Sequence, residues 1–425
     1  MLDIIMADGI SEYAFLNDMR ARAGAVNDGI TSTVSEILND ISKNGISAVN
    51  KYSMRFDGCN PYEISKKQVQ DAYDMCPKEL IAALLKAHEN IREYHVQMLA
   101  KSWESERTPG ARIGQRVMGL NRVGVYVPGG TAAYPSSVLM NIVPAKVAGV
   151  REIIMVTPPT ENLNNAVLAA AKIAGADRIF ALGGVQAIGA LAFGAGDIPK
   201  VDKIVGPGNA YVAAAKRAVF GSVDIDMIAG PSEILVIADE SANPVYIAAD
   251  LLSQAEHDTL ASAMLFTTSK ELAEAVKREI KVQINSRTRR DIIEASLRGF
   301  GAIIVFENME SLYPLADEVA PEHLEIITKN PRADMERIRN AGAIFLGEYS
   351  PEPLGDYMAG PCHVLPTSGT ARFFSPLSTD SFLKKSSVIQ YSQEALLCIS
   401  AETSTLALAE GLDAHANSIS VRGSR

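Results

Sequence analysis

Cysteine is scarce in this 425-residue chain: there are four, Cys59, Cys76, Cys362 and Cys398, with no CxxC spacing among them. That scatter argues against a disulfide framework and a zinc finger, and makes a reducing compartment the expectation. A basic excess is missing as well. Forty Lys and Arg stand against 50 Asp and Glu, a net charge of −10 at pH 7, and without clustered basic residues no nucleic-acid partner is expected. No apolar run reaches the roughly 18 residues of a membrane span: Lys172 interrupts the stretch 166–174, and Pro144 and Lys146 interrupt the one that starts at Val138. The opening MLDIIMADG carries Asp3 and Asp8 and has no basic lead-in, so a secretory signal is not supported and a cytoplasmic protein is expected. Gly (31) and Pro (20) are used at ordinary levels, which excludes collagen-like and low-complexity classes. With 47% hydrophobic and 21% charged residues the chain is globular, and at this length two or three domains are expected.

The first 120 residues read as helix. Apolar residues fall at three-and-four spacing over 31–43, 67–75 and 78–99, with Gly45 after the first stretch and Pro77 opening the longest. His88 and His95 read as helix-surface residues. From Arg122 the pattern changes to short β-branched runs alternating with helical stretches: RVGVYV from 122, EIIMVT from 152, RIFAL from 178, KIVG from 203, EILVIAD from 233, AMLFTT from 263, AIIVF from 302, LEIIT from 324 and AIFLG from 343. This alternation predicts parallel sheets with right-handed crossovers, divided into two α/β units near Gly230-Pro231. After Pro361 it stops. A Ser/Thr/Pro-rich loop from 363 leads to helical stretches over 393–398 and 404–417, a tail that must pack on this chain or on a partner subunit.

Two turns gather backbone amides at a helix start, where an anion is favoured: Pro128-Gly129-Gly130-Thr131, and Gly206-Pro207-Gly208-Asn209. Neither is a GxGxxG fingerprint or a P-loop, and glycines that merely make tight turns remain the alternative. Gln186 follows a third such turn, Gly183-Gly184. In LLSQAEHD, Gln254 and His257 lie three apart on one helix face and could reach one cation, or form only a polar helix end. Glu322-His323 follows Ala320-Pro321 before a strand. Such neighbours could share a cleft only where the chain is irregular, as a preceding proline encourages, and a carboxylate beside an imidazole suits acid/base work. Asp356, between two glycines, reads as a turn residue or a hard metal ligand. Glu410 and His415, five apart, cannot share a face of one straight helix, so joint use requires a bend, which Gly411 would help. His257, His323, His363 and His415 sit in polar clusters, which points to a one-metal enzyme. Taken alone, the residues leave open a metal-dependent hydrolase, a nucleotide-dependent oxidoreductase and a binding protein.

VGVYVPGG from 123, VGPGNAYVAAAK from 205, AGPSEILVIAD from 229, DLLSQAEHD from 250, APEHLEI from 320 and AGPCHVLPTSGTARFFSPLS from 359 resemble, in order, the signature blocks of the histidinol dehydrogenase family. The resemblance runs from RFDG at 55 to the Glu410/His415 tail. It implies a zinc-dependent, NAD-linked four-electron oxidation of L-histidinol through L-histidinaldehyde to L-histidine, by a homodimer whose tails complete each other's active sites. The family's metal ligands fall on Gln254, His257, Asp356 and His415, which would also meet the substrate. Its acid/base pair falls on Glu322 and His323, the latter also a substrate contact. Its cofactor contacts fall on Tyr126, Gln186 and Asn209, and its further substrate contacts on Ser232, His363 and Glu410. Relatives of the family oxidise other small alcohols, and Glu410 favours a cationic substrate. Cys362 stands where the family often has Asn or another polar residue, which raises a thiohemiacetal route that the water-activating Glu322 makes unnecessary. Because His323 and the ligand histidines must be neutral, activity is expected to rise with pH through about 6 to 8. The expected fold is α/β: two Rossmann-like parallel-sheet units, each an incomplete nucleotide-binding fold, with small helical N- and C-terminal pieces. The expected division is a helical arm over 1–22, a first domain from 23–125 and 233–377, an inserted second domain over 126–232 and a tail over 378–425.

Overall fold

The computed structural model describes residues 2–24, 29–129, 134–160, 163–228 and 230–423. The β-branched runs form two six-stranded sheets. In the first, the spatial order is Tyr62–Glu63, Arg178–Ala181, Glu152–Thr157, Arg122–Tyr126, Lys203–Val205 and Asp224–Ile225. Its pairs are parallel except at the short Tyr62–Glu63 edge. In the second sheet, all parallel, the order is Asp3–Met6, Ala302–Val305, Ser262–Thr267, Glu233–Ala238, His323–Ile327 and Ala343–Leu346. Apart from the edge strands Tyr62–Glu63 and Asp3–Met6, which come first in sequence, the strands of each sheet start at a central one, wind outward on one side, then return to the other side of the centre. That reversal creates a topological switch point in each unit. The two Rossmann-like units expected from the alternation are present.

Parallel strands need cover on both faces, and period-2 burial in the first sheet shows how it is supplied. Val123, Val125, Ile153 and Met155 pack with Leu139, Ile142 and Ile91, whereas Ile154, Val156 and Ile204 pack with Ile37, Ile41 and Ile188. The helices Ile30–Asn44 and Lys78–Gln97 therefore lie on the sheet of 122–225. This differs from the expected grouping of 23–125 with 233–377. The amphipathic faces of those helices match the exposed faces of the first sheet, while the second is covered by its own crossover helices.

Four further differences are local. Residues 103–119 are not helical: Trp103–Thr108 and Ala111–Gly119 form a hairpin, and Leu383–Tyr391 pairs antiparallel with its second strand to make a third, small sheet. The C-terminal piece therefore contains a short 3-10 helix, Thr379–Phe382, and this strand before the helices Gln393–Leu397, Ser400–Ala409 and Asp413–Ser420. The N-terminal arm likewise opens with the strand Asp3–Met6, and its helix Ser11–Gly24 runs past residue 22. His95 is buried inside the first unit, with Nδ1 donating to the Ile91 carbonyl at 2.9 Å, because the helix carrying it is covered on that face.

Candidate active site

The helix Met309–Val319 ends on Ala320, a non-glycine residue in the left-handed region at φ 47°. Pro321 follows, and the strand begins only at His323. This irregular entry turns Glu322 and His323 toward the same residue of the adjoining strand. Glu322 Oε2 accepts from Glu233 N at 2.9 Å, and His323 Nδ1 donates to Glu233 O at 3.0 Å. A carbonyl can only accept, so the proton sits on Nδ1 and the lone pair on Nε2, which lies 3.8 Å from Glu352 Oε1. Burial pushes His323 down to about 4 against the opposing pull of Asp356. The imidazole is thus neutral at lower pH than its ordinary value gives, below the expected 6 to 8 window. Burial raises Glu322 well above the usual carboxylate range, with the carboxylates of Glu233, Asp356 and Glu352 adding to the shift.

A donor set lies beside this pair. His257 follows the helix Pro244–Ala255 and Asp356 lies on the short helix Glu352–Tyr357; their ligand atoms and one from Glu352 are all within 4.8 Å of one another. Gln254, one turn before His257, is completely buried, and among the described residues neither its Oε1 nor its Nε2 has a hydrogen-bond partner. An amide orphaned in this way is costly unless something else occupies it. Behind the set, Glu325 Oε1 accepts from Glu352 N at 2.7 Å. Burial raises Glu352 to about 9 and Asp250 to about 6, and it also raises Glu325, with further help from Asp250. Among the described residues no Lys or Arg forms an ion pair with Glu322, Glu325, Glu352 or Asp250. Imidazole, carboxylate and amide donors around uncompensated negative charge fit a divalent cation of borderline hardness.

The candidate cofactor contacts lie in the first unit, at or just after the carboxyl ends of its strands Arg122–Tyr126, Arg178–Ala181 and Lys203–Val205. Tyr126 ends the central strand, and its hydroxyl accepts from Gly184 N at 3.2 Å while burial lifts its pKa to about 12. Gln186, also buried, donates from Nε2 to Asp57 Oδ2 at 2.9 Å. Asn209 is exposed, and its Oδ1 caps the helix Ala210–Val219 by accepting from Tyr211 N and Val212 N. Of the other glycine turn, Gly130 and Thr131 lie outside the described residues.

His363 ties the two units together. Its Nδ1 donates to Asp356 O at 3.1 Å, which leaves Nε2 to accept from Ser137 Oγ at 3.2 Å on the helix Pro135–Val147. Ser232 immediately precedes Glu233, and its carbonyl accepts from Ser262 N at 3.0 Å. Cys362 is buried, donates its thiol to Met140 O at 3.3 Å and is pushed up to about 12 by burial, so it is not a thiolate nucleophile. Glu410 and His415 are exposed on the tail, and His415 is absent from the donor set within this chain. Sequence reasoning missed Glu233, Glu325, Glu352 and Asp250. A charged residue inside the apolar strand LEIIT, and another opening the apolar helix segment DLLSQ, were the available signals.

The histidinol dehydrogenase family model matches residues 20–423. A histidinol dehydrogenase from Clostridium acetobutylicum is 53% identical over 426 residues, covering 99% of both chains. One from Bacillus subtilis is 53% identical over 398 residues, covering 92% of this chain and 93% of the relative. The crystal structure of histidinol dehydrogenase from Elizabethkingia anophelis superposes with a TM-score of 0.92 at 35% identity, covering 99% of this chain and 98% of that one. With its signature blocks in order, both sheets matched and a family model spanning almost its whole length, the chain belongs to the histidinol dehydrogenase family.

Proposed function

We propose that this protein catalyses the zinc-dependent, NAD-linked oxidation of L-histidinol through L-histidinaldehyde to L-histidine, closing histidine biosynthesis in the cytoplasm as a homodimer with shared sites. The observation that carries this reading is a neutral imidazole with a fixed tautomer, His323, set between a cation-ready donor cluster and the unit bearing the glycine turns. Gln254, His257 and Asp356 would hold the metal together with His415 of the other subunit. When bound, the metal would fix the substrate's imidazole and amino nitrogens, and NAD would accept the hydride.

Within the chain, His323 Nε2 takes the hydroxyl proton of the alcohol, with Nδ1 anchored on Glu233 so that the lone pair cannot rotate away. Glu322 deprotonates the water that attacks the aldehyde. Its Oε2 is held by Glu233 N, so both groups are positioned by one peptide unit. Tyr126, Gln186 and Asn209 form the cofactor side, and Ser232, His363 and Glu410 the remaining substrate contacts. The tail supports shared sites: Leu406 and Leu408 are 68% and 58% exposed, an apolar surface suited to a second copy. No helix among the described residues is long and apolar enough to cross a membrane.

The test supplies L-histidinol and NAD to the purified protein and counts NADH. About two per substrate, abolished by a chelator and restored by zinc, is expected. No NADH, with hydrolysis of an amide or ester instead, would move the protein to the hydrolases.

A further inference from the structure

The Gly206 turn is held by an ion pair that lies deep in the protein. Lys216, on the helix Ala210–Val219, pairs with Asp226, their side chains 3% and 1% exposed. Both ends of the pair also grip residue 206: Lys216 Nζ donates to Gly206 O at 2.9 Å, and Asp226 Oδ2 accepts from Gly206 N at 2.7 Å. Gly206 has φ 110°, and a Cβ there would meet Tyr126 O at 2.1 Å, so the turn is pressed against the end of the central strand. Asp226 does more than close this turn. Its Oδ1 accepts from Met227 N at 2.7 Å, at the start of the linker leading to Ser232 and Glu233. Met227 is packed in the same core as Cys362 and Val364, neighbours of His363.

We propose that Lys216 and Asp226 are a positioning pair for the dinucleotide. They fix the Gly206–Asn209 turn and register it against the linker that carries the substrate-side residues. The proposal rests on the reading that this turn receives NAD. Buried ion pairs are poor contributors to net stability, because desolvation offsets their attraction, and are better suited to specifying geometry. A pair that binds both the N–H and the C=O of one residue in a ligand-facing turn does that.

The discriminating variant is the double substitution Lys216→Met with Asp226→Asn. It removes both buried charges and the bond to Gly206 O, and the single amide oxygen can accept from Gly206 N or from Met227 N but no longer from both. Each single variant strands a buried charge and is expected to melt earlier, whereas the double should recover a Tm near that of the original protein. In the double variant the calorimetric Kd for NAD should rise about tenfold or more, with zinc content and the KM for L-histidinol within about twofold. A double variant with recovered Tm and unchanged NAD affinity overturns the proposal. Should it fold poorly, Lys216→Leu with Asp226→Asn carries the test, since it likewise removes both charges and the donor to Gly206 O. A well-folded protein of that kind with unaltered NAD affinity overturns the proposal too. If the unmodified protein binds no NAD, the cofactor reading itself fails.

Discussion

With Nδ1 committed to the Glu233 carbonyl, His323 has one nitrogen left for chemistry, and burial holds it neutral down to about pH 4. A base must be unprotonated to act, so its active fraction grows as pH rises through its pKa. For His323 that rise is complete well below neutrality. Glu322, by contrast, is raised above the ordinary carboxylate range by burial and by neighbouring carboxylates, so its active, ionised fraction grows only at higher pH. With L-histidinaldehyde as substrate, kcat/KM should climb with pH above the ordinary carboxylate range. Glu322→Gln should flatten that limb and slow the step by about 10²–10⁴, sparing the first hydride transfer in a single turnover. A limb that persists in Glu322→Gln would show that another group governs it. Cys362 makes the opposite prediction. With its thiol buried and pushed up to about 12, Cys362→Ala should still yield two NADH per L-histidinol, at a stability cost of about 1 kcal/mol in thermal melting. Loss of the second NADH alone would return the thiohemiacetal route to consideration.

At the scale of elements, one residue can serve two purposes that substitution separates. Asn209 caps the helix Ala210–Val219 through its carbonyl oxygen, which leaves its amide nitrogen as the donor toward a cofactor. Asn209→Ala removes both and should cost about 1 kcal/mol of stability as well as NAD affinity. Asn209→Asp keeps the cap, so its Tm should hold while the KM for NAD rises, because a carboxylate replaces a donor on a turn whose backbone amides favour an anion. Equal KM values in Asn209→Asp and the original protein would reduce Asn209 to a cap. The same distinction between local and distant causes explains what the sequence disclosed. The central parallel strands were legible because each is a short, mostly apolar run buried on both faces, whereas the partly exposed edge strands Asp3–Met6 and Asp224–Ile225 escaped notice. Trp103–Thr108 was not legible either, since WESERT is exposed along its length and shows no apolar alternation. Its neighbour Ala111–Gly119 finds its other partner in Leu383–Tyr391, a pairing that no local pattern announces. Glu322 and His323 stood out as a pair beside a proline. Glu233, Glu325, Glu352 and Asp250 did not, because folding alone gathers carboxylates so far apart in the chain.

Across the whole molecule, the two units meet with opposite polarity. Tyr126 and Val205 lie at carboxyl ends of first-sheet strands, while Glu233 and His323 lie at amino ends of second-sheet strands. Ligands of open α/β sheets ordinarily sit at carboxyl ends, so the first unit offers the usual crevice and the second contributes its opposite edge. His363, bridging Asp356 and Ser137, holds the two edges together. Glu410 and His415 stand apart from the rest of the constellation, exposed on a tail whose helices pack mainly on each other. A second copy that supplies them predicts complementation. Glu322→Gln spoils the body of a site and His415→Ala spoils the tail, so each homodimer is inactive at both sites. After dissociation and random reassociation about half the dimers are hybrids, each with one site free of both substitutions, so activity should return to about a quarter of the original. If the tail instead folded back onto its own chain, each hybrid site would still carry one of the two lesions, and the mixture would remain as inactive as its components.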